Sequence, residues 1–149
     1  MRVILQRVSK AFVSIEGANY SQINQGLLIL LGITHEDSQL DIDWMVQKII
    51  NLRIFNDEYG KMNHSILEVK GEILIVSQFT LFASTKKGNR PSFVNSARPE
   101  SARSIYEKFV DTFKNIVMKV QTGVFGENMQ IELINDGPVT LVLDSKNKE

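Results

Sequence analysis

The stretch "SQFTLFA", Ser77 to Ala83, sets two hydroxyls and a carboxamide at the end of an apolar run, "EILIV". Two kinds of chemistry suit Ser77, Gln78, Phe79 and Thr80. A hydroxyl could act as nucleophile, or backbone N–H groups near Phe79 and Thr80 could bind a developing oxyanion. The competing reading is a polar strand end that makes only local hydrogen bonds. A hydroxyl nucleophile needs a base within hydrogen-bond reach. The only histidines, His35 and His64, lie in polar, loop-like surroundings and share no metal-ligand spacing. A Ser/His/Asp triad and a metal-activated water therefore have little support, and no metal or cofactor is expected. The absence of cysteine excludes thiolate catalysis, disulfides and cysteine-type zinc clusters.

Three further features bear on a site. Lys86, Lys87 and Arg90 follow "SQFTLFA" closely in "STKKGNRPSF". Such a cluster is either a solvated loop or a means of steering a phosphate-bearing substrate. Arg7 interrupts an apolar strand pattern, so it either points outward or is buried with acceptors such as backbone carbonyls. "NDGPVTLVL", Asn135 to Leu143, reads as a strand over Val139–Leu143 with Gly137-Pro138 at its mouth. Proline gives no N–H to a ladder and glycine admits a close backbone approach. An X–Pro bond is also the one peptide with a real chance of being cis. The dipeptide is thus a simple turn or a functional device. Met129 either packs in the core or lines a pocket.

The elements that must position these residues follow from patterning. The 149 residues, 43% hydrophobic and 23% charged, suit one globular domain with a sizeable core. Val3–Ile15, "YSQINQ" and Gly26–Ile33 read as strands, the third apolar throughout and so buried on both faces. Asp37 or Ser38 can cap a first helix whose stripe is Ile42, Met45, Val46, Ile49 and Ile50. A buried strand runs from Glu72 to about Phe79. Pro99 opens a second helix with a stripe of Ala102, Ile105, Tyr106, Phe109, Val110 and Phe113. Two or three closing strands and a frayed polar tail, "SKNKE", complete a mixed α/β domain. The N-terminal apolar run is too short for a signal peptide, and no segment suits a membrane span. Zero formal net charge argues against an extended grip on nucleic-acid phosphates, so any such contact should be small and local.

Taken together, "MRVILQRVSKAFV", "LLILLGI", "NLRIF" with "GKMN", "SQFTLFA", "KGNRPSF", "TGVFGENMQ" and "NDGPVTLVLD" resemble the D-aminoacyl-tRNA deacylase (D-tyrosyl-tRNA deacylase) family, over nearly the whole chain to Asp144. The resemblance implies a compact β-barrel-like sheet with two flanking helices. It also implies a cytoplasmic homodimer with its sites at the interface, acting on the 3′ end of aminoacylated tRNA. Family members hydrolyse the ester of a D-amino acid on the terminal ribose and are not known to require a metal. In the family the Gly-Pro bond is cis and enters the partner's active site. By resemblance, Gly137 and Pro138 play that part here and Arg7 fixes their carbonyls.

The physics of such a filter is exclusion. A hydrogen on the substrate α-carbon can face a wall of backbone carbonyls, whereas an inward L side chain collides with it. Glycine has nothing to exclude, so glycyl-tRNA falls within reach. The "SQFT" strand end then supplies the oxyanion donors, and water attacks with help from the neighbouring ribose hydroxyl. Ala83 and Met129 are pocket-wall candidates. Three alternatives stand beside this reading: an esterase acylated on Thr80, a non-catalytic module that binds the aminoacyl end of tRNA, and a purely structural dimer.

Overall fold

The computed structural model describes residues 1–148. Strand β1 (Arg2–Ile15) is long enough to use both edges. One edge pairs with β3 (Gly26–Gly32) near its start and with β2 (Ala18–Ile23) near its end; the other pairs with β8 (Gln130–Asp144) along most of its length. Parallel pairing then adds β6 (Glu72–Ser77) to β3 and β7 (Val120–Thr122) to β6. The sheet curls toward closure, and Ser21 on β2 donates its hydroxyl to the Thr122 carbonyl on β7 at 2.7 Å. A small hairpin, β4 (Phe55–Asn56) with β5 (Met62–His64), stands apart from this sheet.

Helices α1 (Gln39–Asn51) and α2 (Pro99–Lys114) cover one face of the sheet. Ile42, Met45, Val46 and Ile49 of α1, with Phe109 and Phe113 of α2, meet Val3, Leu5, Leu27, Ile29, Ile73 and Ile75 from the strands. Alternate residues on the same strands, Leu28, Leu74 and Val76, join Val8, Ala11, Val13 and Ile23 in a second cluster inside the curl. Thus β3 is buried on both faces, as its unbroken apolar run requires. Among the described residues, no helix is long and apolar enough to cross a membrane.

Three sequence expectations change. Strand β6 stops at Ser77 rather than near Phe79, and the chain enters a 3-10 turn at Phe79–Phe82. The Gln78 N–H still bonds the Leu31 carbonyl at 2.7 Å, and the turn then folds down onto Gly32. A Cβ at Gly32 would stand 2.8 Å from Leu81 Cβ, so only glycine admits this approach. Second, Gly137-Pro138 lies in the middle of β8 and not at a strand mouth. Third, the tail is docked. The Ser145 hydroxyl donates to Asp41 at 2.6 Å, the Lys146 ammonium is 2.9 Å from the same carboxylate, and the Lys148 ammonium sits 5.0 Å from the Trp44 ring centre. Glu149 lies outside the described residues.

Candidate active site

Ser77, Gln78 and Phe79 line a cavity of about 420 Å³. Its other walls come from Leu31 near the end of β3 and Ile33 just after it, from Phe93, Ser96 and Arg98 before α2, and from Ala102, Phe125 and Gly126. The lining is mainly apolar and aromatic. Phe79 packs edge-on against Phe93 with ring centres 5.0 Å apart, and the Ser96 hydroxyl donates to the Phe79 carbonyl at 2.7 Å. Arg103 lays its guanidinium over Phe125 at 4.9 Å. The N–H groups of Phe79 and Thr80 open the 3-10 turn, where a helix has no internal acceptors for its first donors.

Thr80 is exposed and is not among the residues lining this cavity. Its hydroxyl accepts a hydrogen bond from Gln78 Nε2 at 2.5 Å. Neither histidine is near: His35 Nε2 bonds the Val94 carbonyl at 3.1 Å, and His64 faces Glu68. Among the described residues, no three His, Asp or Glu side chains are grouped to share a metal ion. Ala83 closes the 3-10 turn, donating its N–H to the Thr80 carbonyl, and is exposed. Met129 packs against the second core cluster and accepts the Val124 N–H on sulfur at 3.3 Å. Neither Ala83 nor Met129 lines the cavity. Lys86, Lys87 and Arg90 occupy the exposed tip of a loop closed by the antiparallel Ser84–Ser92 pair. The loop runs straight into Phe93, a wall of the cavity.

Arg7 is buried, 4% exposed. Its Nε donates to the Asp136 carbonyl at 2.9 Å, and its Nη1 donates to the Ile54 carbonyl at 2.5 Å and to Asn56 Oδ1 at 3.4 Å. The Asp136 carboxylate adds an ion pair at 3.3 Å. These acceptors satisfy a guanidinium that could not otherwise be buried. The backbone contact falls on the carbonyl preceding Gly137, rather than on those of Gly137 and Pro138. Gly137 itself has φ +130°, and a Cβ there would stand 2.7 Å from Arg7 Nη2. The Gly137-Pro138 bond is cis. Both residues are exposed, and no residue from 135 to 140 lines the Ser77 cavity.

Phe93, Ser96, Arg98, Ala102 and Phe125 were not legible as site residues in the sequence. They converge from two loops and a helix; the motifs "KGNRPSF" and "TGVFGENMQ" contain Phe93 and Phe125, but nothing in them says that the two side chains meet. Asn135, inside "NDGPVTLVL", was not legible as a site residue either. Its signal was available in principle, because Asn in a turn hydrogen-bonds nearby backbone.

A domain of this architecture, with an apolar cleft at a strand end and a Gly-Pro excursion on a neighbouring strand, matches known proteins closely. Residues 4–144 match the D-Tyr-tRNA(Tyr) deacylase family. Relatives called D-aminoacyl-tRNA deacylase include those of Cytophaga hutchinsonii and Bacteroides thetaiotaomicron, each 57% identical over the whole of both chains. The Thermosipho africanus relative is 55% identical over 98% of each chain. A solved structure described as c-Myc DNA Unwinding Element Binding Protein is 41% identical with TM-score 0.92, covering 97% of this chain and 98% of its own. Another, described as a probable eukaryotic D-amino acid tRNA deacylase, shares the fold at TM-score 0.75 with 17% identity. The chain belongs to the D-Tyr-tRNA(Tyr) deacylase family.

Proposed function

We propose that the protein is a cytoplasmic hydrolase that cleaves the ester between a D-amino acid and the terminal ribose of tRNA. In this reading the chain acts as one catalytic domain in a homodimer, and Gly137 and Pro138 of each subunit complete the partner's site. The observation that carries the reading is a mismatch within one subunit. The Gly-Pro excursion is braced and exposed, yet it does not line the cavity that Ser77, Gln78 and Phe79 build. A second copy supplies the missing wall. The outward face of the β1–β8 pair offers a surface for that copy, with Val142 72% and Ile134 51% exposed.

The aromatic cleft suits the terminal base of the tRNA, stacked among Phe79, Phe93 and Phe125. Arg98 at the rim, with Lys86, Lys87 and Arg90 on the adjoining loop, supplies cations for nearby phosphates. With the base so held, the ester carbonyl lies toward the first N–H groups of the 3-10 turn. Water adds to the carbonyl carbon, and its negative charge develops on the oxygen facing Phe79 N–H and Thr80 N–H. One such donor is worth about 3–4 kcal/mol in other hydrolases. The tetrahedral intermediate collapses by breaking the bond to the ribose oxygen. The water's proton passes to that oxygen by way of the neighbouring ribose hydroxyl. No protein nucleophile is needed, which accords with a Thr80 hydroxyl that has no base beside it.

Single-turnover cleavage of glycyl-, D-alanyl- and L-alanyl-tRNA tests this. Glycine and D-alanine should be released at similar rates, while L-alanine stays attached. If glycyl-tRNA survives as long as L-alanyl-tRNA, the filter is not steric exclusion. If none of the three is cleaved, the protein binds aminoacyl ends without hydrolysing them.

A further inference from the structure

The Gly-Pro excursion is a gap in a ladder, and its shape must come from somewhere. Asn135 pairs with Val8 and Thr140 with Gln6, so four residues of β8, Asp136 to Val139, stand opposite Arg7 alone. Pro138 has no N–H to give. The excursion therefore lacks the strand-to-strand bonds that set peptide orientation elsewhere in β8. Arg7 replaces them on one limb only, since its hydrogen bond and its ion pair to the excursion both fall on Asp136.

The other limb is held by Asn135. Its Oδ1 accepts the Val139 N–H at 2.8 Å, and its Nδ2 donates to Thr140 Oγ1 at 2.9 Å and to the Val139 carbonyl at 3.4 Å. The carboxamide thus spans the base of the excursion and uses both its acceptor and its donors. The Val139 N–H and the Pro138 carbonyl belong to one planar peptide unit. Fixing the N–H fixes where the carbonyl points.

We infer that Asn135 is a positioning residue for stereoselectivity: its carboxamide sets the direction of the Pro138 carbonyl, as Arg7 sets that of Asp136. The inference rests on the reading of Gly137-Pro138 as the wall of the filter. Asn135 touches no reacting atom, and its effect passes through Pro138. A residue that only stabilised the fold would change cleavage of D- and L-substrates together. A residue that aims the wall changes their ratio.

The experiment measures single-turnover cleavage of D-alanyl- and L-alanyl-tRNA by the full-length parent and by Asn135→Ala, Asn135→Asp, Thr140→Val and Pro138→Ala. Asn135→Ala should narrow the D/L ratio about tenfold, the factor for removing one orienting hydrogen bond. Asn135→Asp keeps the acceptor for the Val139 N–H, so its ratio should return most of the way to the parent's. Thr140→Val removes the shorter of the two bonds of the amide nitrogen, with a 3.4 Å contact to Gln6 Nε2, and leaves the Val139 N–H bond in place, so it should narrow the ratio by a smaller factor; it keeps the test decisive if Asn135→Ala does not fold. A parental ratio in folded Asn135→Ala or in Thr140→Val, beside a Pro138→Ala whose ratio has collapsed, overturns the role of Asn135 alone. A parental ratio in Pro138→Ala overturns the filter reading beneath it.

Discussion

At the scale of single residues the question is which group attacks. Thr80 is the exposed hydroxyl in "SQFT", but it does not line the cavity, and its neighbour is a carboxamide that donates to it and cannot take its proton. Thr80→Ala should therefore stay within about tenfold of the parent in single-turnover cleavage of D-alanyl-tRNA. Loss of a true nucleophile costs far more, on the order of 10⁴–10⁶-fold in other hydrolases. A loss on that scale in a folded variant, with an acyl adduct trapped on the parent's Thr80, would reverse the assignment. Gly137 is bound by a different constraint. Positive φ and the nearby Arg7 guanidinium leave no room for a side chain, so glycine is required before substrate is considered.

At the scale of elements, the loop between the 3-10 turn and α2 carries Lys86, Lys87 and Arg90 at its tip and Phe93 at its base. Position and charge divide the labour: the tip meets phosphates, and the base helps to shape the cleft. Replacing the three cations by Gln should weaken binding of aminoacyl-tRNA. It should also flatten the slope of log affinity against log salt by about 0.7–0.9 for each phosphate that is no longer neutralised. The D/L ratio should not move. Filter binding across a salt series, with cleavage assays in parallel, checks both statements. A changed ratio at unchanged affinity would place the loop in the filter instead.

Helix α1 makes a second prediction at this scale. Asp41 in its first turn accepts hydrogen bonds from the Ser38 N–H, the Ser145 hydroxyl and Lys146. Burial alone would raise its pKa, but these bonds outweigh it and hold the carboxyl well below the usual carboxylate range. With the folded value below the unfolded one, the contribution to stability is complete above the unfolded pKa of about 3.9. It is lost as pH falls from there toward the folded value. Denaturant melts of the parent should show this loss below about pH 4. Asp41→Asn should be less stable at pH 7 by roughly 1–2 kcal/mol and should lose less on acidification. Parallel acid profiles in the two proteins would show that Asp41 is not the group responsible.

At the scale of the whole molecule, the proposed site is incomplete without a second copy. Sedimentation should give about twice the 16.9 kDa chain mass at working concentration. A specific interface of about 1,200–2,000 Å² is the expected size. Val142→Glu puts a charge on the outward face of β1–β8 and should shift the protein to monomer, with cleavage lost in step. An active monomer in either protein would mean that one subunit holds a complete site.

Much of the architecture was determined by the sequence alone, because it is written in local periodicity. The unbroken apolar run of β3, the helical stripes of α1 and α2 and the proline opening α2 each report burial by spacing. The motifs also placed the chain in its family, and they drew attention to Ser77, Gln78, Phe79, Gly137 and Pro138. Tertiary structure decided what those residues face. The end of β6 moved to Ser77 because Gly32, far earlier in the chain, lets the turn settle on β3. Gly137-Pro138 became the middle of a strand because β1 is long enough to pair on both sides of the excursion. Phe93, Ala102 and Phe125 joined the cleft through packing among separate elements, and the tail docked because Asp41 was there to receive Ser145 and Lys146. Periodicity records which way a side chain points within its own element. Which distant backbone or side chain it meets depends on how the elements close together, and that is set only when the chain folds.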